Sequence, residues 1–282
     1  MIWATWRMER SVYVAATAVL AAVGVWLAVT GLRQEAAFAS FNALHCAQPG
    51  SSALCMAAAT RYYGASTFSG AGVAIGALVP GLLGLVIGVP IVAGEIGWRT
   101  NRLAWTQSIS RTRWLLVKLA FGAATTVALM AALAPVLQWW SGAVQRGDRI
   151  VPPNFDVSGI VPIAYALFAF VLGALLGALV RRRGWAFALG LPIFAAARYL
   201  ERSYLRRRLL PSVTTATAQV APSNNWVIWE GFVPSRSKGR FVFQIQPASH
   251  YWALQGIEAA VFVAAACALA WLAVVVVRRW QV

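Results

Sequence analysis

The chain's 282 residues hold only eight carboxylates and two histidines, so acid–base and metal chemistry have few places to reside. Glu258 is the acid that falls inside a long apolar run, about one turn into the segment opening at Leu254. An ionisable group at that depth marks a functional position by default, because taking it out of water is costly. Glu258 either lines a gate, together with Gln255, or pairs with Arg198 or Arg202. The plainer alternatives are a snorkelling interfacial carboxylate or a hydrogen bond to Gln255 or His250. No second buried carboxylate or histidine is evident along the apolar runs, which argues against a proton relay. His45, Cys46, Cys55 and His250 lack the paired short spacings of zinc sites, so no metal is expected. Cys46 and Cys55 share one polar stretch and form a disulfide if that stretch faces an oxidising compartment; otherwise they remain two small unpaired residues. Neither Lys118 nor Lys238 stands in G-x-x-x-x-G-K-[ST], and neither a nucleophile elbow nor H-E-x-x-H is present. The chain is therefore expected to carry no cofactor, nucleotide site or catalytic residues of its own.

The elements that would position these residues are set by composition. With 60% hydrophobic residues, 11% charged and a mean hydropathy of +0.67, the chain lies in the multispanning membrane class. Spans of roughly 20 residues each leave room for about six crossings. They are read at about 12–32, 73–93, 115–139, 160–180, 185–199 and 254–277. The expected fold is an all-α integral membrane protein with six transmembrane helices and a small, partly β extracytoplasmic region between helices 5 and 6. That region covers 200–252, where Trp226–Trp229 and Arg240–Ile245 alternate like strands. Residues 33–69 read as a polar loop. The fifth span is short and interrupted by Pro192, being either distorted by function or extended by residues such as Leu200–Leu205. The first span follows Arg7 and Arg10 without a cleavage-like stretch, so it reads as a span rather than a cleavable signal.

The net charge of +16 sits at the edges of apolar runs, where arginine meets lipid phosphate, so nucleic acid is not expected as a partner. Basic residues at Arg7, Arg10, 99–118, 181–183 and 278–279 place both termini and the second connector on the cytoplasmic side by the positive-inside rule. Arg198, Arg202, Arg206–Arg208, Arg236, Lys238 and Arg240 weigh against that orientation, most of them lying far from span ends. Gly72, Gly76, Gly81, Gly84 and Gly88 form a small-residue stripe that lets helices approach closely. Thr17, Thr30, Thr125, Thr126 and Gln138 are the polar groups within the spans, so a path lined by them suits a lipophilic or amphipathic solute better than an ion or sugar.

Two apolar runs need only a short turn between them, yet Gly94–Lys118, GEIGWRTNRLAWTQSISRTRWLLVK, is long, basic and rich in tryptophan. Arg99, Arg102, Arg111 and Arg113 alternate with Leu103, Trp105, Ile109 and Trp114, a spacing suited to short helices lying along a membrane face. Such a segment is either a lipid anchor or a docking handle.

The stretch GEIGWRTNRLAWTQSISRTRWLLVKL resembles the segment after the second span of bacterial ABC-2-type transporter permeases, in its glutamate, basic turn, W-T-Q-S, R-T-R-W and lysine. QPASHYWALQGIE, residues 246–258, is similar to that family's entry into its last span. The resemblance implies a transport subunit rather than an enzyme, located in a bacterial cytoplasmic membrane. It implies a dimer of permeases, identical or related, powered by separate ATP-binding cassette subunits that hold ATP and Mg. The connector then occupies the place of the family's coupling helix, with Glu95, Arg99, Arg102, Trp105, Arg111 and Arg113 as contacts to the ATPase. The family's exporters suggest a drug, antibiotic or lipid as cargo. The rivals are a non-transporting membrane assembly protein and a membrane-embedded lipid-modifying enzyme.

Overall fold

The computed structural model describes residues 2–44, 53–97, 110–146, 148–217, 225–233 and 240–279. Its elements, in order, are α1 (Ile2–Ala43), α2 (Ala53–Gly76), α3 (Val79–Gly97), α4 (Arg111–Gln145), α5 (Asn154–Val157), α6 (Val161–Val180) and α7 (Arg183–Leu200). A π-helical turn (Glu201–Leu205) leads into α8 (Arg206–Leu209). Strands β1 (Val213–Thr217), β2 (Asn225–Val233) and β3 (Arg240–Pro247) follow, and α9 (Tyr251–Arg278) closes the chain.

Helix α6 is the axis of the bundle. At 1.5 Å per residue its 20 residues span about 30 Å, the thickness of a hydrocarbon core. It is buried on nearly all sides, whereas α1 and α9 turn apolar residues such as Val19, Val25, Val261 and Trp271 outward. A water-soluble protein would not leave such faces bare. Such faces suit a lipid environment. Helix α3 lies closest to α6, and the glycine stripe is the reason: a Cβ at Gly84 would collide with the Ala166 carbonyl, and one at Gly88 with the Phe170 carbonyl. Four helical segments are long and apolar enough to cross a membrane: Arg10–Ala43, Arg111–Val144, Val161–Val180 and Ala248–Arg278. The apolar helix Val79–Gly94 is shorter. The protein is thus a multi-pass membrane protein with four such segments among the described residues, against six read from hydropathy.

Several boundaries move. Residues 33–43 and 53–69, read as loop, are helical: α1 runs on to Ala43, and α2 packs back on it through Phe38, Phe41, Tyr62 and Tyr63. Small residues and alanines there sustain a helix although their mean hydropathy is low. The Trp139 ring lies against Gly31, and Trp140 donates its Nε1 proton to Thr30 Oγ1 at 2.9 Å. Twelve residues separate Gly31 from Ala43, so α1 rises about 18 Å beyond that level. The apolar run at 73–93 is not one helix. It divides at Ala77–Leu78, where α2 ends and α3 begins ahead of Pro80, a residue suited to a first turn. Pro192 does not break α7, which continues through it into the π turn and α8.

The strands at Trp226–Trp229 and Arg240–Ile245 appear within β2 and β3. Strand β1, hidden in a Ser/Thr run, completes an antiparallel sheet in the order β1-β3-β2. Tyr13 meets Phe121 at 5.4 Å, and Arg278 Nε donates to Thr112 Oγ1 at 3.0 Å. The start of α1, the start of α4 and the end of α9 therefore share one end of the bundle, rich in arginine. The sheet, α5 and the end of α1 share the other.

Candidate functional site

At the sheet end, four separate stretches of chain bring ionisable groups together out of water. Asp156 comes from α5, Tyr165 from the first turns of α6, and Arg198, Glu201, Arg202 and Arg206 from the α7–π–α8 unit. Glu258 comes from the second turn of α9. Arg206 and Glu258 have no exposed surface, and Asp156 and Glu201 almost none. The π turn matters here: its extra residue shifts the register so that Arg198, Glu201 and Arg206 all face inward, whereas Arg202 and Arg207 look outward.

Arg206 is the hub. Its Nη2 lies 2.6 Å from Asp156 Oδ1, 2.8 Å from Glu258 Oε1 and 3.0 Å from Glu201 Oε2, and its Nε donates to Glu258 Oε2 at 2.8 Å. Arg198 reaches Asp156 and Glu201 at 2.9 Å and Glu258 at 3.3 Å, with its guanidinium 3.4 Å over the Tyr165 ring. Tyr165 donates its hydroxyl proton to Glu258. Arg202 stands at the rim, 3.8 Å from Asp156 Oδ2. Three guanidiniums thus face three carboxyls, and below them Tyr165, Phe168 and Phe262 pack edge-to-face.

Burial pushes the Asp156 carboxyl up, but Arg206, Arg198 and Arg202 together outweigh it and hold it below its ordinary 3.8. Burial drives Glu201 the other way, up to about 8; Arg206 opposes the rise and the neighbouring Glu258 carboxyl adds to it. Burial disfavours the Arg206 charge, yet the surrounding carboxylates, Asp156 foremost, raise its pKa further, so it stays charged. Such an arrangement clamps segments together; separating the α7–α8 unit from α9 would break its bonds one by one.

Gln255, read as a pathway residue, has a structural duty. Its Oε1 accepts from Ile160 N at 3.0 Å and Val161 N at 3.1 Å, and its Nε2 donates to Phe155 O. It thereby occupies backbone donors left free at the start of α6. Thr125 and Thr126 donate to carbonyls four residues back, Phe121 O and Gly122 O. Gln138 accepts from Gly159 N at 3.1 Å and borders a crevice of about 640 Å³ at this same end. Turns of α4 supply an apolar wall of Ala131, Ala134 and Pro135. Glu35, Arg149 and Asn154 supply polar groups. Neither Thr125 nor Thr126 lines it.

At the arginine end, Glu95 lies in the last turn of α3, but its side chain, like Arg99, Arg102 and Trp105, lies outside the described residues. Arg111 and Arg113 open α4, half-buried and exposed respectively, with Ser110 as N-cap accepting from Arg113 N at 3.3 Å. The Arg183 side chain lies against Gly94, so the connector and the arginines at 181–183 share this end. Cys55 is disulfide-bonded and Cys267 is a free thiol, whereas Cys46 lies outside the described residues. His250 Nδ1 is 2.8 Å from Gln246 Oε1, and His45 lies outside the described residues. Among the described residues no group of three His, Cys, Asp or Glu side chains is arranged to hold a metal ion.

Pairing with Arg198 is one of the alternatives the sequence offers for Glu258, and the structure adds Arg206 and Tyr165, which the sequence does not point to. Asp156 falls between the spans read at 115–139 and 160–180, and Arg206 falls in the region read at 200–252, so neither position by itself marks a buried charge. The available signal was Arg198–Glu201–Arg202, at the i, i+3, i+4 spacing of one helix face.

A family model described as ABC-2 membrane transporter related matches residues 17–206. No curated protein and no solved structure gives a significant match.

Proposed function

Because the chain belongs to the ABC-2 membrane transporter related family, a family of ABC-2-type permeases, we propose that it is the membrane subunit of an ATP-driven exporter of a lipophilic or amphipathic compound. The observation that carries this reading is the reach of the family match, which runs from α1 to the hub arginine Arg206 and takes in the whole connector between α3 and α4. Two permeases, identical or related, form the pathway. Separate ATP-binding cassette subunits hold ATP and Mg and dock on the connector through Glu95, Arg99, Arg102, Trp105, Arg111 and Arg113. The arginine end faces the cytoplasm of a bacterial cell, with both termini there, and the sheet end faces outward.

The arrangement supports a lever. ATPase closure pushes the connector, which joins α3 and α4 directly; α3 is packed on the central α6 through glycine, so the push passes to the axis of the bundle. The ionic cluster at the far end ties α6, α7–α8 and α9 together and sets which of them move as one body. The crevice beside it, apolar along α4 and polar at Glu35 and Arg149, has the lining an amphipathic solute requires.

Purification from the native membrane tests the reading. An ATPase should copurify with the chain, and replacing Glu95 and Arg102 together should reduce both transport and substrate-stimulated ATP hydrolysis by about tenfold or more, while the protein still inserts. Undiminished coupling in that variant, or a complex active without a nucleotide hydrolase, would overturn the assignment; the latter result would favour an assembly protein.

A further inference from the structure

Outside the ionic cluster, a second cavity of about 370 Å³ opens between the π turn and the first residues of β2. At roughly 30 Å³ per water, it has room for about a dozen waters. Its charged lining is of one sign: Arg202 and Arg207 enter it, with Ser203 and Asn225 beside them, and Trp226 and Pro152 among its apolar walls. The π turn is what makes this possible. Five residues apart, the two arginines would diverge widely on an α-helix, at 3.6 residues per turn; the larger number of residues in the π turn brings them toward one wall. Arg207 is exposed and has no ion-pair partner among the described residues, and Arg202 has only the 3.8 Å approach to Asp156. The carboxylates nearby are engaged with Arg198 and Arg206, so the cavity keeps its excess positive charge.

We propose that this cavity binds a phosphate group, held by the guanidiniums of Arg202 and Arg207 with the Ser203 hydroxyl as a further donor and Trp226 as the apolar wall beside it. Paired guanidiniums suit phosphate because each presents two parallel N–H donors to two of its oxygens. Arg202 is shared with the cluster, so an occupied cavity and Asp156 compete for it. The phosphate belongs either to a free anion or to the headgroup of a lipid in the surrounding leaflet.

The full chain in detergent, melted in inorganic phosphate and in chloride at equal ionic strength, examines the free anion. The same chain in phosphatidylcholine nanodiscs, with and without phosphatidylglycerol, examines the headgroup. Specific binding raises the melting temperature, the stabilisation growing as the logarithm of one plus the ligand concentration over Kd. Arg202→Gln and Arg207→Gln should each weaken the apparent affinity about tenfold, the size of one charge-assisted hydrogen bond, so that about ten times more ligand is needed for the same rise, and Arg208→Gln should leave it unchanged. Arg207→Gln touches no partner in the cluster, so its fold is not at stake. Stabilisation by soluble phosphate assigns a free anion, and stabilisation by phosphatidylglycerol alone assigns a headgroup; either supports the site if it depends on both arginines. A wild-type chain that responds to neither, or variants that respond as the wild type does, would refute it.

Discussion

Arg206 has no exposed surface and Arg198 little, and each is answered by carboxylates from elsewhere in the chain. Burying a charge without partners costs several kcal/mol, and removing one member of a buried pair typically costs about 3–5 kcal/mol because the other is stranded. The cluster is therefore better understood as fixing which segments meet than as adding stability. Glu201 gives it a dependence on pH. Its carboxyl is raised from 4.5 to about 8, so between those values the folded chain holds a proton that the unfolded chain has released. Stability then falls as pH rises through that window and levels off above it. Asp156, shifted below 3.8, acts in the opposite sense and only at much lower pH. Melting temperatures followed across the window should decline for the wild type and decline less for Glu201→Gln; equal slopes would show that Glu201 is not the titrating group. Glu258 stood out in the sequence because an acid in an apolar run is conspicuous by itself. Asp156 and Arg206 did not, because burial of a loop acid or of one arginine among three depends on what packs over it.

At the level of elements, the decisive contact is α3 against α6. Neither helix is polar enough to attract the other by charge, and in lipid no hydrophobic force joins them, so close backbone approach has to supply the packing. Gly88→Val would drive a side chain into the Phe170 carbonyl, which backbone cannot relieve. The cost should reach or exceed the ~3 kcal/mol upper end of overpacking, seen as loss of the folded, monodisperse protein in detergent. Gly256→Ala on α9, where nothing lies within 4 Å, should instead raise the melting temperature, by up to about 1 kcal/mol of helix preference. If both variants behave alike, the stripe is not the contact that holds α3. The glycines were legible as a packing stripe from their spacing. That α3 is short and separate from α2 was not, since the apolar run passes across the break at 77–78 without a change in hydropathy.

Across the whole molecule, the two ends differ in how they hold their charge. Arg181–Arg183, Arg278 and Arg279 crowd one end close to span termini, whereas Arg198, Arg202 and Arg206 at the other meet carboxylates. Charge adjoining a span steers insertion, which supports a cytoplasmic arginine end. In a Cys267→Ser background, Thr214→Cys on β1 should react with an impermeant maleimide in intact cells, and Gly184→Cys at the start of α7 only after permeabilisation. The reverse pattern would put the connector outside and remove the basis for coupling to an ATPase.

Hydropathy and the spacing of small residues suffice to make this chain a helical membrane protein, and the connector's residues suffice to suggest its family, because length, polarity and motif are properties of consecutive residues. What the connector's neighbours do is decided by packing. The extension of α1, the passage of α7 through Pro192 into a π turn, and the meeting of Asp156, Arg198, Glu201, Arg206 and Glu258 join positions up to about a hundred residues apart. Whether a charge is buried, and against which partner, is a property of the space between helices, and that space exists only once the chain has folded.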